Sequence, residues 1–174
     1  MAFNRKIAVL AVMAGAVLFY SACGSSAKSN DEALYSLKLE KTAEIIASHA
    51  YACSSQLSSY WAIWEYAKAS EIDFETAAQQ MQGGQTTQNL SMMQENKAQI
   101  DRLLADLESP PEKYAEAFQK LQDLYAAYVQ MHSQALKPSG DWEYLEQRIR
   151  TMEDNVHTRK SELDAELSAV SQEQ

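Results

Sequence analysis

The chain has little of what makes turns and strands. Its 174 residues include only five glycines and three prolines, and no stretch alternates apolar and polar residues as a half-buried strand requires. That scarcity argues against the all-β and loop-rich classes and leaves long helices as the default. Cysteine is also scarce: Cys23 and Cys53 are the two thiols, too few for a disulfide framework. Lys and Arg number 15 against 24 Asp and Glu. No basic run exceeds pairs such as Arg159-Lys160, so the clustered cations that displace counterions from a nucleic-acid backbone are missing. No apolar run reaches the roughly 20 residues a membrane-crossing helix needs. Also missing are a Gly-rich phosphate loop, a Gly-x-Ser-x-Gly nucleophile elbow and a Cys-x-x-Cys pair.

What is present begins with the leader. Arg5 and Lys6 precede Ile7 to Tyr20, an uninterrupted run of apolar and small residues. As a helix this run spans about 21 Å, short of a hydrocarbon core of roughly 30 Å. A cationic start followed by a short apolar run is the pattern of an export signal. The run ends in Tyr20-Ser21-Ala22-Cys23, which resembles the lipobox of bacterial lipoproteins. Ser21 and Ala22 supply the small residues before the cysteine, while Tyr20 stands where that pattern has an aliphatic residue. The resemblance implies cleavage before Cys23 and acylation of Cys23. It also implies a folded part facing outside the cytoplasm, held to the cell membrane or outer membrane by acyl chains.

The expected organisation is a signal peptide over 1–22, an acylated cysteine with a polar tether over 23–30, and a helical domain over 31–172. Gly24 to Asn30 contains no core-forming residue and reaches at most about 23 Å. Arg5 and Lys6 are the leader's only charges, so its removal takes the formal charge from −9 to −11. Such a surface does not adhere electrostatically to anionic headgroups, which leaves the acyl chains to make the attachment.

The rest reads as helices. Ser29-Asn30-Asp31-Glu32 is a start signal, polar caps before acids that suit the positive end of a helix dipole. From there a seven-residue row runs through Leu39, Ile46, Cys53, Tyr60, Ala67 and Phe74, with a companion row of Ala43, Ala50, Leu57 and Trp64. Rows of that spacing predict a helix packed along its length. Ser70, Glu71 and Asp73 interrupt the seam, predicting a break and a further short helix near 73–82. Gly83-Gly84 is a stop. A second long helix is expected from Thr86 to Glu108, with rows Met93, Ile100, Leu107 and Leu90, Lys97, Leu104. A third is expected from Pro110 or Pro111 to Leu136, with Ser109 able to cap it and an aromatic face of Tyr114, Phe118, Leu121, Tyr125 and Tyr128 continued by His132 and Ala135. Lys137-Pro138-Ser139-Gly140 turns the chain, and Ser139 or Asp141 can cap a last helix carrying Trp142, Leu145, Ile149, Met152, Val156, Leu163 and Val170. Short links between amphipathic helices predict an all-α, antiparallel up-and-down bundle of four main helices.

The spacing of Trp64, Asp73-Phe74, Pro110-Pro111 with Tyr114, Tyr125 and Pro138-Ser139-Gly140 is similar to that of helical envelope lipoproteins without an assigned activity. No residue role follows from that likeness.

Little chemistry is advertised. Cys53 sits on the seam, where a small apolar side chain packs well; a reactive thiol there would need exposure and a lowered pKa. His49, His132 and His157 fall on three helices, but the Glu-x-x-His spacing of a bundle metal site is approached only at His157, by Glu153 and Asp154, so no metal or other cofactor is expected. Acid pairs such as Glu40 with Glu44 and Glu162 with Glu166 read as solvated helix faces, and no catalytic residue is assigned. Tyr60 and Trp64 belong to the seam. Tyr51, Trp61 and Tyr66 point elsewhere around the same helix, so they either meet other helices or form an exposed interaction surface.

The function expected from these readings is a membrane-anchored, non-enzymatic envelope protein that presents helical surfaces to another envelope protein. The alternative is an anchored binding module holding a small apolar or cell-wall-derived ligand inside the bundle, near Tyr60, Trp64, Tyr125 and Tyr128. Cys23→Ala should abolish incorporation of a labelled fatty acid and release the protein from membranes. Retained labelling would refute the anchor.

Overall fold

The heptad rows of the first segment become one helix of 45 residues, α1 (Ser26–Ser70). It is followed by α2 (Phe74–Gln82), α3 (Gln85–Ala105), α4 (Ala115–Leu136) and α5 (Leu145–Gln172), with single 3-10 turns at Glu112–Tyr114 and Trp142–Tyr144 leading into the last two. The computed structural model describes residues 26–82 and 85–172, and no strand occurs among them. Cys23 and the leader lie outside the described residues.

The bundle is antiparallel, as cross-helix contacts show by their numbering. Along α1 in reverse, Tyr66 Oη donates to Gln80 Oε1 at 2.9 Å, Gln56 Oε1 accepts from Asn89 at 3.3 Å, and Tyr35 Oη donates to the Leu107 carbonyl at 2.9 Å. Thus α2 and α3 together descend beside α1. Lys113 pairs with Glu32 at 2.6 Å, so α4 starts at the lower end and rises. Trp142 lies 5.0 Å ring to ring from Phe74 at the upper end, and Glu153 accepts from Ser54 halfway down, so α5 descends. The closest packing is among α1, α4 and α5, while α3 lies against α1 and more loosely against α4.

Local chemistry explains the boundaries. Glu71 takes φ 55°, the left-handed conformation that closes a helix, and the Ile72 N–H reaches back to the Ala67 carbonyl at 3.1 Å. This is a six-to-one closing bond of the Schellman kind, with half-buried Ile72 packed on the core. Asp73 then caps α2, accepting from the Thr76 N–H at 2.8 Å and from its hydroxyl at 2.7 Å. The expected break and short helix are therefore both present. At the other turn Gly140 has φ 89°, and Arg148 binds the carbonyls of Ser139 and Asp141 on either side of it. Asp141 caps the 3-10 turn before α5 by accepting from the Glu143 N–H at 2.9 Å.

Three expectations differ from the structure. The first helix begins at Ser26, before Ser29-Asn30-Asp31-Glu32, so most of the expected tether is helical; Ser, Ala and Lys are tolerated in a helix, and a side-chain cap is optional for extending one. Ser109 caps nothing: Pro111 occupies the N-cap position, without a side-chain bond. Trp64 is half-buried rather than in the core, and Ile63 takes its place. A strict seven-residue row drifts about 20° per heptad on a straight helix, and at this end α2 and α3 draw the buried face round toward Ile63 and Ala67. Trp64 instead stacks on Trp61 at 5.0 Å, with the Lys68 ammonium 4.8 Å from the ring centroid.

The core runs the length of α1 through Leu39, Ala43, Ile46, Ala50, Cys53 and Leu57, facing Leu121, Leu124, Tyr128 and Met131 of α4 and Leu145, Ile149, Met152, Val156 and Leu163 of α5. Leu57→Ala should therefore lower unfolding free energy by about 2–5 kcal/mol in a denaturant titration, and Trp64→Ala by clearly less. An equal or larger loss at Trp64 would restore it to the core.

Candidate functional site

The middle third of α1 turns an unusual face to solvent. Ala47, Ser48, Ala52, Ser55, Ser58 and Ala62 leave it low and smooth, and Tyr51 rises from it with 77% of its surface exposed. No large neighbour on α1 supports the ring, and neither α3 nor α5 covers it. Two grooves flank it.

On the α5 side, a groove of about 330 Å³ has an apolar floor of Ala50, Met131 and Val156 and a polar rim of Glu153, His157 and Lys160. The Ser54 hydroxyl donates to Glu153 across it and joins the two helices. On the α3 side, a groove of about 320 Å³ is lined by nine residues, among them Gln56, Asn89, Met92 and Asn96, and none of the nine is charged. Tyr51 borders both grooves. Gln56 is only 5% exposed, and its Nε2 lies sealed below the surface. The neighbouring Tyr60 hydroxyl is raised in pKa by burial, and the Gln56 carboxamide, its N–H directed at that oxygen, works against the rise.

A second polar group lies where α3 meets α4. The Lys97 ammonium donates to Tyr125 Oη at 2.9 Å and to Asp101 at 2.9 Å, and the Tyr125 hydroxyl donates to Asp101, closing a triangle. Burial works to raise the Asp101 pKa, but the bonds from Tyr125 and Lys97 outweigh it and hold the carboxylate low. Two turns further along α4, His132 is buried with Nε2 at 3.2 Å from the Met93 carbonyl. A carbonyl can only accept, so Nε2 carries the proton. Burial lowers the pKa of this imidazole, with Lys97 adding to the effect and Asp101 and the Met93 bond opposing it. Burial also pushes the Cys53 thiol up to about 12 and raises the neighbouring Tyr128 phenol. A thiol held so firmly protonated is no nucleophile at neutral pH. These groups fasten α3 to the bundle and offer no acid, base and nucleophile in mutual reach.

The three aromatics expected as a surface separate. Tyr51 is exposed, Trp61 is half-buried against the core, and Tyr66 is 39% exposed with its hydroxyl bonded to Gln80. Tyr60, Trp64, Tyr125 and Tyr128 line neither groove beside Tyr51. His49 is half-buried on α1, while His157 is exposed on the groove rim. Among the described residues no group of three or more His, Cys, Asp and Glu is placed to hold a metal ion, and no helix is long and apolar enough to cross a membrane. Sequence reasoning missed Gln56, Met92 and Asn89. The Ala- and Ser-rich stretch from Ala47 to Ala62 was the available signal, since a helix face that small leaves room on either side.

Compared with known proteins, the chain matches no family model, no curated protein and no solved structure.

His132 stays neutral in the fold at pH values where the unfolded chain takes up a proton. Its contribution to stability is therefore lost as pH falls through the ordinary histidine value of about 6.5, and the loss levels off below its lowered folded pKa. His49, also lowered by burial, adds in the same direction. The thermal midpoint should fall between pH 7.5 and 5.5, and His132→Gln, which keeps a donor for the Met93 carbonyl, should flatten that fall. An unchanged slope would remove His132 from the account.

Proposed function

We propose that the protein is a lipid-anchored, non-enzymatic component of a bacterial envelope that works by holding a partner on the Tyr51 face of its bundle. One observation carries the reading. A large aromatic is kept 77% exposed on a face of alanines and serines, between two grooves. Exposed aromatics of this kind anchor interfaces because they bring large contact area at small cost in conformational entropy.

The non-enzymatic part is supported by the chemistry around that face. Cys53 is protonated, His132 is committed to a backbone carbonyl, and Asp101 is neutralised by its own triangle. The anchor rests on the leader and on the likeness of Tyr20-Ser21-Ala22-Cys23 to a lipobox. An envelope protein is the partner this reading expects over the α5-side groove, where Glu153 and Lys160 offer both charge signs at the rim.

A photo-crosslinking residue at Tyr51 in the anchored chain should capture one envelope protein, and the Cys23→Ala form should lose it. A crosslinker at Gln122, on the outward face of α4, is the control and should capture nothing in common. Identical capture at both positions, or none at Tyr51, would overturn the reading.

A further inference from the structure

Tyr51 and the α5-side groove stand side by side at one level of the bundle. The residues that α1 gives to the groove, Ala47, Ala50, Tyr51 and Ser54, bracket Tyr51 within about one turn, so knob and hole share a height. They are also matched in chemistry. A tyrosine is an apolar ring with a polar tip that takes a hydrogen-bond partner when covered. The groove offers an apolar floor of Ala50, Met131 and Val156 beneath a rim where Glu153, His157 and Lys160 can accept or donate. Its volume, about 330 Å³, is at the low end for small-molecule sites and accommodates one phenol side chain. Tyr51 does not fill the groove of its own chain, since it stands 77% exposed at the edge.

The side-by-side order selects a symmetry. A two-fold axis parallel to α1 keeps each residue at its own level and exchanges left for right across the facing surfaces, so the Tyr51 of each copy meets the groove of the other. A two-fold axis across α1 keeps the sides and sets Tyr51 against Tyr51. Only the parallel pairing is self-complementary, and two chains anchored through Cys23 to one bilayer must also point the same way.

Charge and area agree. In a chain with 22% charged residues, α1 carries no Asp, Glu, Lys or Arg between Glu44 and Glu65, although Ser48, Ala52, Ser55, Ser58 and Ala62 are exposed there. A solvated helix face ordinarily carries charge, and two acidic chains meet along this stretch without repulsion. Glu44, at its lower end, is paired with Lys41 at 2.7 Å. The stretch is about 30 Å long, and α1 with half of each flanking helix makes a face about 20 Å wide. Two such faces bury about 1,200 Å² together, the lower bound for specific association. Confinement to one membrane favours a pair of that size by raising the effective concentration of each copy.

We propose that the partner held on the Tyr51 face is a second copy of this chain, in a parallel two-fold pair in which each Tyr51 ring enters the other copy's groove between α1 and α5. The inference rests on the Tyr51 face being a binding surface and names its occupant.

The test uses the full, membrane-anchored chain co-expressed in two forms with different tags. A photo-crosslinking residue in place of Tyr51 in one form should yield a product of twice the chain's mass that carries both tags, with the crosslink on the α5 peptide around Val156 of the other form. Because Cys53 is buried, Ser58→Cys adds one accessible thiol, and a mild oxidant should join it to the same position of the second copy. An antiparallel pair centred on Tyr51 would instead join Ser58→Cys in one form to Glu44→Cys in the other. Tyr51→Ala removes an exposed side chain and leaves the core intact. It should weaken self-association at least tenfold in sedimentation of the detergent-solubilised chain.

Crosslinks that land away from the groove, the antiparallel disulfide, or self-association unchanged in Tyr51→Ala would each overturn the proposal. Capture of a different envelope protein at Tyr51, with no doubly tagged product, refutes the second copy and leaves the Tyr51 face as a binding surface. Capture of nothing refutes both.

Discussion

The length of α1 is the constraint on which the rest depends. A helix of 45 residues extends about 67 Å, and α4 and α5, at 22 and 28 residues, are much shorter. One apolar stripe along α1 would leave much of it unpartnered, so its buried arc changes partners along its course. Leu39 to Leu57 face α4 and α5; Tyr60, Ile63 and Ala67 turn toward α2 and the upper end. Because the covering helices lie on either side of it, a strip through Ser48, Tyr51, Ser55 and Ser58 is left uncovered. The candidate surface follows from how α1 is wrapped.

The helices that wrap α1 are held in different ways. The contact of α4 and α5 with α1 is dominated by fully buried Leu, Ile and Tyr side chains, each contributing about 1.5–3 kcal/mol through removal of apolar surface from water. Helix α3 brings two buried apolar side chains, Met93 and Ile100, with Leu107 just beyond its end, and adds the Lys97–Asp101–Tyr125 triangle, the Met93 carbonyl on His132, and Asn89 on Gln56. Hydrogen bonds exchange against water and add only about 0.5–1.5 kcal/mol each, but their geometry fixes register in a way that apolar contact does not. The α3-side groove is thus bordered by the most loosely packed of the long helices, the wall best able to adjust around a bound group.

Much of this was legible in the residues. The rows through Leu39 and Ala43, the break before Asp73 and the aromatic face of α4 each announce a helix and its inward side, because burial is periodic and periodicity is visible in one dimension. Trp64 shows where that legibility ends. Its place in a heptad row was sound, but which arc of a long helix is covered at a given height depends on which neighbour lies there, and Ile63 won. The grooves were less legible still. Tyr51 could be seen to point away from the seam, yet Gln56 reads as an ordinary polar residue until Asn89 and Met92 arrive from α3, 33 and 36 positions along the chain, to make it the floor of a groove.

Gln56 also sets a problem of energy. Burying a carboxamide costs free energy that only its hydrogen bonds offset, and leucine fits helix α1 better by intrinsic propensity. The neighbouring buried positions Cys53, Leu57 and Tyr60 show that this part of α1 accepts apolar side chains. The amide is moreover held in place by Asn89, which sits on an exposed part of α3 and contributes nothing to the core. Gln56 is accounted for as a tie between helices: Asn89 of α3 donates to its Oε1, its carboxamide acts on the Tyr60 hydroxyl one turn along α1, and together these fix the height at which α3 lies against α1.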